Sequence, residues 1–130
     1  MSEWVLTDVA ELLEEAAVGV LGASLFAGRL PPTPDACVAV CEVLASERRV
    51  RGYASPDVTI VARALAYADA EAKATACYNA VRVVRNQVLA SGVRYVSIEP
   101  LSPPVNARRD EQGRSVMSFV CRAWKNDTPS

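Results

Sequence analysis

Histidine is missing from all 130 residues of the chain, and that absence removes most of the ordinary chemistry of enzyme sites. Without an imidazole there is no general base titrating near neutrality, no Ser-His-Asp or Cys-His nucleophile pair, and no His-containing zinc or facial-triad iron site. The four cysteines, Cys37, Cys41, Cys77 and Cys121, include no CxxC pair, so a four-thiolate zinc site would have to gather its ligands from separate elements. Cys37 and Cys41 stand in the strand-like stretch ACVAVCEV. Their Cα atoms would be about 13 Å apart there, whereas a disulfide needs roughly 4.4 to 6.8 Å. All four read as small buried hydrophobes in a reducing compartment. No apolar run reaches the roughly 18 residues that span a bilayer. The opening MSEWVLTDVAELLEE carries acids where a secretory signal has a basic stretch, so a soluble, cytosolic chain with no membrane partner is expected. Excess charge is lacking too: fourteen basic against fifteen acidic residues leave -1, which gives no bulk attraction to nucleic acid.

What remains is the composition of one folded domain covering residues 1–130, with 51% apolar and 22% charged residues. Arg outnumbers Lys twelve to two, which suits planar ion pairs at interfaces but follows more simply from a GC-rich genome. Val5, Val9, Leu12, Leu13, Ala16 and Ala17 recur at helical spacing, with Ser2 as N-cap and acids in the first turns. Gly19 and Gly22 end that helix, and Ala23–Ala27 reads as a strand. Three prolines between Pro31 and Pro34 make a stiff, exposed connection. Strands are expected at Ala36–Leu44 and Val58–Leu65, the latter central, with the polar stretch 45–57 as a loop or hairpin tip between them. Ala70, Ala74, Cys77, Val81, Val84 and Val88 predict a long helix from Asp69 to Ala90, stopped by Gly92. RYVSIEPL and SVMSFVCRAW then alternate as two terminal strands under that helix. Strands following one another without intervening helices favour α+β: a mixed, mainly antiparallel sheet of about five strands, carrying an N-terminal helix and one long helix.

Each candidate for chemistry has a plainer reading. The glycines at 19 and 22 look superficially like a phosphate loop, but they follow a helix and match neither GxGxxG nor GxxxxGK[ST]. Glu14–Glu15 and Asp110–Glu111 are adjacent pairs whose side chains diverge by about 100° on a helix, so neither is a facing carboxylate dyad. Cys77 lies on the apolar stripe with no base to activate it. Arg108, Arg109, Asp110, Glu111 and Arg114 form the densest charge cluster, between the two terminal strands. A solvated hairpin turn closed by Gly113 accounts for it. So does a contact arm, since mixed-sign charge with three guanidinium forks makes oriented contacts to a protein, where a nucleic-acid arm would lack the acids. A second cluster, Arg48, Arg49 and Arg51, is one-signed, and the neighbouring Tyr53 could stack on a base, although no nucleic-acid motif accompanies it.

Three strings in order, LFAGRLPPTPD (25–35), VTIVARALAYADAEAKA (58–74) and PLSPPVNARRDEQGRSVMSFVCRAW (100–124), give the chain a resemblance to the bacteriophage minor capsid or tail terminator proteins of long-tailed phages, over roughly residues 3–124. The resemblance implies a non-enzymatic virion protein without a cofactor or metal, a small α/β subunit that closes into a ring, a hexamer, on the finished tail tube at the tail–neck junction. Its partners would be copies of itself, the tail tube protein and a head connector or completion protein, with DNA passing through unbound. Arg108, Arg109, Asp110, Glu111 and Arg114 would form the turn that meets neighbours or tube, and Arg48, Arg49, Arg51 and Tyr53 a further loop contact. Near-neutral charge fits a lumen through which DNA slides, because each neutralised phosphate adds affinity. The alternatives are a head completion protein of the same virion and a small host adaptor domain.

Overall fold

The computed structural model describes residues 2–42, 49–50, 53–54, 56–89 and 91–126. Helix α1 (Ser2–Glu15) turns Val5, Val9, Ala10 and Leu13 inward, as its spacing requires. It stops before the glycines. Ala17 adopts a left-handed φ of 62°, its N–H bonds to the Glu14 carbonyl at 3.0 Å, and the Val18 N–H reaches the Leu13 carbonyl at 3.0 Å. Val18 then packs back onto the core. This is a Schellman ending with alanine where glycine is usual, so Ala16 and Ala17 fall outside the stripe predicted for them. Replacing Ala17 by Gly relieves the Cβ strain and is expected to stabilise the fold by about 0.5–1 kcal/mol in urea denaturation.

The strands are β1 (Leu25–Ala27), β2 (Cys37–Glu42), β3 (Arg49–Val50), β4 (Tyr53–Ala54), β5 (Asp57–Ala64), β6 (Arg85–Val88), β7 (Arg94–Pro100), β8 (Val105–Arg109) and β9 (Ser115–Asn126), with helix α2 (Tyr67–Val81) between β5 and β6. Among the described residues these nine strands belong to one sheet, antiparallel except where β1 runs parallel to β2. The α+β class and the two-helix cover are as the sequence implies, and the sheet is divided more finely than five strands. β5 is central, paired with β2 on one side and β9 on the other. β9 is the spine: β5 and β4 line one of its edges and β8 and β7 the other.

Alternation decides which face is covered. Ile60, Ala62, Met117, Phe119 and Cys121 meet Val5, Val9 and Leu13 of α1 and Ala70, Ala74, Cys77 and Val81 of α2 in one buried cluster. The alanines bring α2 close to the sheet, and Tyr78 meets Phe119 edge to face at 5.7 Å. On the other face Thr59, Val61, Ser118, Val120 and Trp124 are half-buried. The predicted continuation of α2 to Ala90 is overturned. The helix ends at Val81, Arg85 covers the Arg82 and Val84 carbonyls at 3.0 and 2.7 Å, and the chain returns as β6. The β-branched run Val81, Val83, Val84 and Val88 favours extended backbone over a further helical turn, and β7 supplies the partner a lone sequence pattern cannot reveal. Gly92, at φ 87°, closes the β6–β7 hairpin instead of a helix. Val88, expected in the core, is exposed.

One buried polar network fastens α1 to that hairpin. Asp8, 1% exposed, accepts the Tyr95 hydroxyl and the Ser91 hydroxyl at 2.7 Å each and the Ser91 N–H at 2.9 Å. Burial, and then the Asp8 carboxylate, push the Tyr95 hydroxyl far above its ordinary pKa, so it stays a donor. Tyr95→Phe leaves a buried carboxylate short of one donor and is expected to cost about 1–3 kcal/mol in urea denaturation, whereas Tyr67→Phe at the surface costs little.

Candidate functional site

β8 and β9 meet in the charged turn singled out by the sequence. Asp110 organises it through its own side chain: Oδ1 accepts the N–H groups of Gln112 and Arg114 at 3.0 and 2.9 Å, while backbone bonds join Asp110 to Arg114 and Gly113 to Asp110 at 2.9 Å each. Gly113 takes the left-handed φ of 77° that the turn needs. Arg109 donates to the Gly113 carbonyl at 2.7 Å, and a cleft of about 490 Å³ is bordered by Arg109, Asp110, Glu111, Gln112 and Arg114. The structure therefore brings these residues together, with Arg109 and Glu111 exposed. Arg108 lies in β8 opposite Val116, next to an irregularity in the register.

Arg114 does not share that outward position. It is 5% exposed. Its Nε donates to Asp110 Oδ2 at 2.7 Å, Nη1 to the Pro32 carbonyl at 2.7 Å and to Asp35 Oδ1 at 3.1 Å, and Nη2 to Gln112 Oε1 at 3.1 Å. A guanidinium so occupied has little left for a partner, so its work is to hold the turn onto the proline-rich segment. A second buried arginine does the same from β5: Arg63 donates to the Pro34 carbonyl at 2.6 Å, the Asp35 carbonyl at 3.1 Å and Cys37 Sγ at 3.3 Å. Arg63 was not among the sequence candidates. The signal was an arginine inside the otherwise apolar VTIVARAL, where a buried charge demands partners. At the other end of β5, Asp57 accepts from Nε and Nη2 of Arg122 across the strand pair, at 2.8 and 3.2 Å.

The second predicted cluster is described in part. Arg49 and Tyr53 stand on β3 and β4, where Val50, not Arg49, pairs with Tyr53; Arg48 and Arg51 lie outside the described residues. Nothing among the described residues gathers three metal-ligating side chains. Burial raises all four thiol pKa values, to about 12 for Cys77 and Cys121, so these sulfurs stay protonated at neutral pH. The Gly19–Gly22 stretch is a tight turn whose Val20 carbonyl accepts the N–H groups of Ala23, Ser24 and Leu25. No described helix is long and apolar enough to cross a membrane.

The arrangement offers a rigid, mixed-charge projection. Burial raises the Asp110 carboxyl, but the Arg114 amide and guanidinium outweigh it and hold the group below its ordinary value of 3.8. A depressed carboxylate contributes stability above its unfolded value and loses it as pH falls through the folded one. The turn is thus expected to loosen only below pH 3.8, a dependence that Asp110→Asn removes when urea unfolding is followed against pH. Arg114→Ala should lower the melting temperature more than Arg109→Ala, since it strands acceptors on two segments rather than one.

A family model described as bacteriophage tail terminator protein matches residues 12–124, which contain every strand up to the last two residues of β9. Among solved structures, a chain from "Virion of native gene transfer agent (GTA) particle" superposes with a TM-score of 0.68 at 24% identity over 94% of each chain, which establishes a shared fold. No curated protein matches the chain.

Proposed function

Because the chain belongs to the bacteriophage tail terminator family and is thus a structural tail protein, we propose that its copies close into a ring, a hexamer, on the end of the tail tube. The ring stops tube polymerisation and joins the tube to the head connector at the tail–neck junction, with DNA passing through without specific binding. The family match over residues 12–124 carries this reading. Two features of the chain support it. A ring subunit needs a stiff platform with projecting contacts, and the β8–β9 turn is such a projection, locked to the proline-rich segment by Arg114. A net charge of -1 also keeps the subunit from gripping the passing phosphates. The contact arm proposed here consists of Arg108, Arg109, Asp110 and Glu111, with Arg114 as its internal brace. The basic segment of Arg48, Arg49, Arg51 and Tyr53 is a further contact with a protein neighbour.

The test is made on particles. Tails assembled without this chain should have tubes of uncontrolled length, whereas loss of a head completion protein leaves tube length uniform. Arg109→Ala combined with Glu111→Arg should preserve the far-ultraviolet circular dichroism spectrum yet lower incorporation into tails about tenfold or more, the effect of roughly 1.4 kcal/mol at an interface. Wild-type incorporation of that variant removes the arm from the contact.

A further inference from the structure

The two most exposed large hydrophobic side chains among the described residues stand just beyond the two ends of α2. Leu65, 62% exposed, precedes the helix and Val83, 69% exposed, follows it. The 15 residues between Tyr67 and Val81 make α2 about 22 Å long, so the two side chains sit at opposite ends of the molecule's helical layer. A single exposed apolar side chain is ordinary on a protein surface. Here each is accompanied by exposed charge, and the sign is opposite at the two ends.

At the Leu65 end, Tyr67, Asp69 and Glu71 are exposed, and the Tyr67 hydroxyl donates to Glu71 Oε2 at 3.4 Å. Lys73 is half-buried, and its charge acts on the Cys37 and Cys77 thiols, toward the sheet. The neighbouring Arg63 and Arg114 are buried and occupied by the proline-rich segment. At the Val83 end, Arg82, Arg85 and Arg94 are exposed. Arg85 Nη1 donates to the Arg82 and Val84 carbonyls at 3.0 and 2.7 Å, Arg94 Nη1 to the carbonyl and Oδ1 of Asn86 at 3.0 and 3.1 Å, and the Arg82 guanidinium lies 5.7 Å from the centre of the Tyr78 ring. These anchors hold the Arg85 and Arg94 guanidinium groups against the segment from Arg82 to Asn86 and leave further donors on each. Glu11 and Glu15 border the later part of β6, from Gln87 to Leu89, and Glu99 stands opposite Arg122. Among the described residues, none of Asp69, Glu71, Arg82, Arg85 and Arg94 takes an ion pair.

Each end thus has its complement on the same chain, a helix length away and out of reach within one copy. We propose that the Leu65 end of α2 in one copy packs against the Val83 end of α2 in the next, with Leu65 and Tyr67 covering Val83 and with Asp69 and Glu71 facing Arg82, Arg85 and Arg94. The pairing rests on the ring reading above and names the surfaces by which copies join. Its two sides differ, so the contact is heterologous, repeats from copy to copy and closes when the rotation allows. Apolar cover supplies the attraction, and the charges fix direction by repelling like ends. A nucleic acid would use the arginines alone and leave the exposed Leu65 and Tyr67 without a role.

Charge reversal and cross-linking test it. Asp69→Lys with Glu71→Lys should lower incorporation into tails about tenfold or more while the isolated chain keeps its far-ultraviolet circular dichroism spectrum. Adding Arg82→Glu with Arg94→Glu in the same chain should restore incorporation, and Arg85 is left in place because it covers two backbone carbonyls. In particles carrying both Leu65→Cys and Val83→Cys, oxidation should give a ladder of covalent multimers on a denaturing gel, which neither single variant gives. Assembly unaffected by the acid reversal, no rescue by the arginine reversal, a product that stops at the dimer, or a cross-link to a different protein would each overturn the pairing while leaving a ring possible. Wild-type chain absent from tail ends would overturn the ring reading itself, and this pairing with it.

Discussion

The carbonyls of the segment from Pro31 to Asp35 must be satisfied by something other than a neighbouring strand. Three prolines there carry no N–H, so the segment cannot enter a ladder as an ordinary strand would. Two guanidinium groups meet that need. Arg63, from the centre of the sheet, takes the Pro34 and Asp35 carbonyls, and Arg114, from the entrance of β9, takes Pro32 and the Asp35 side chain. Only arginine has enough donors in a fixed fork to reach several such oxygens at once, and lysine would offer a point charge instead. Because Arg114 also holds Asp110, the same group shapes the β8–β9 turn. A projection built this way does not need to be ordered by a partner, so an interface it makes avoids part of the entropy cost of binding.

The long strand β9 carries this arrangement to the rest of the molecule. Its first residues pair with β5 and β8 beside the clamped segment, and its last pair with β4 and β7. The helices cover only the face bearing Met117, Phe119 and Cys121. Ala70, Ala74 and Cys77 on the sheet side of α2 let that helix lie close to the strands. The tie between Asp8 and Tyr95 sets where α1 lies relative to β6, and hence where Glu11 and Glu15 stand.

Legibility in the sequence followed the range of the forces involved. Local periodicity exposed the buried stripe of α2, the alternation of β9, the central position of β5 and the α+β class, since each depends on residues near one another in the chain. It overran at Val84 and Val88, where β-branched residues keep a helical spacing by coincidence and only the distant β7 makes the strand worthwhile. The Ala17 ending was hidden because alanine gives no sign of a left-handed backbone. At the site, the turn and its members were visible as a charge cluster, but the direction of each charge was not. Arg109 and Arg114 look alike in sequence, and what separates them is Pro32, 82 residues away from Arg114.

The inward turn of Arg114 bears on how charge can serve assembly. A charge cluster that points wholly outward binds strongly to any complementary surface and carries its field beyond a Debye length only weakly at physiological salt. Pairing Arg114, buried, with Asp110 leaves a small, mixed-sign tip, Arg109 beside Glu111, whose long-range field nearly cancels while its short-range pattern remains directional. In the ring proposed above, such a tip would discriminate by geometry at contact and give a passing polyanion little to hold. The same near-cancellation holds for the whole chain, where fourteen bases stand against fifteen acids.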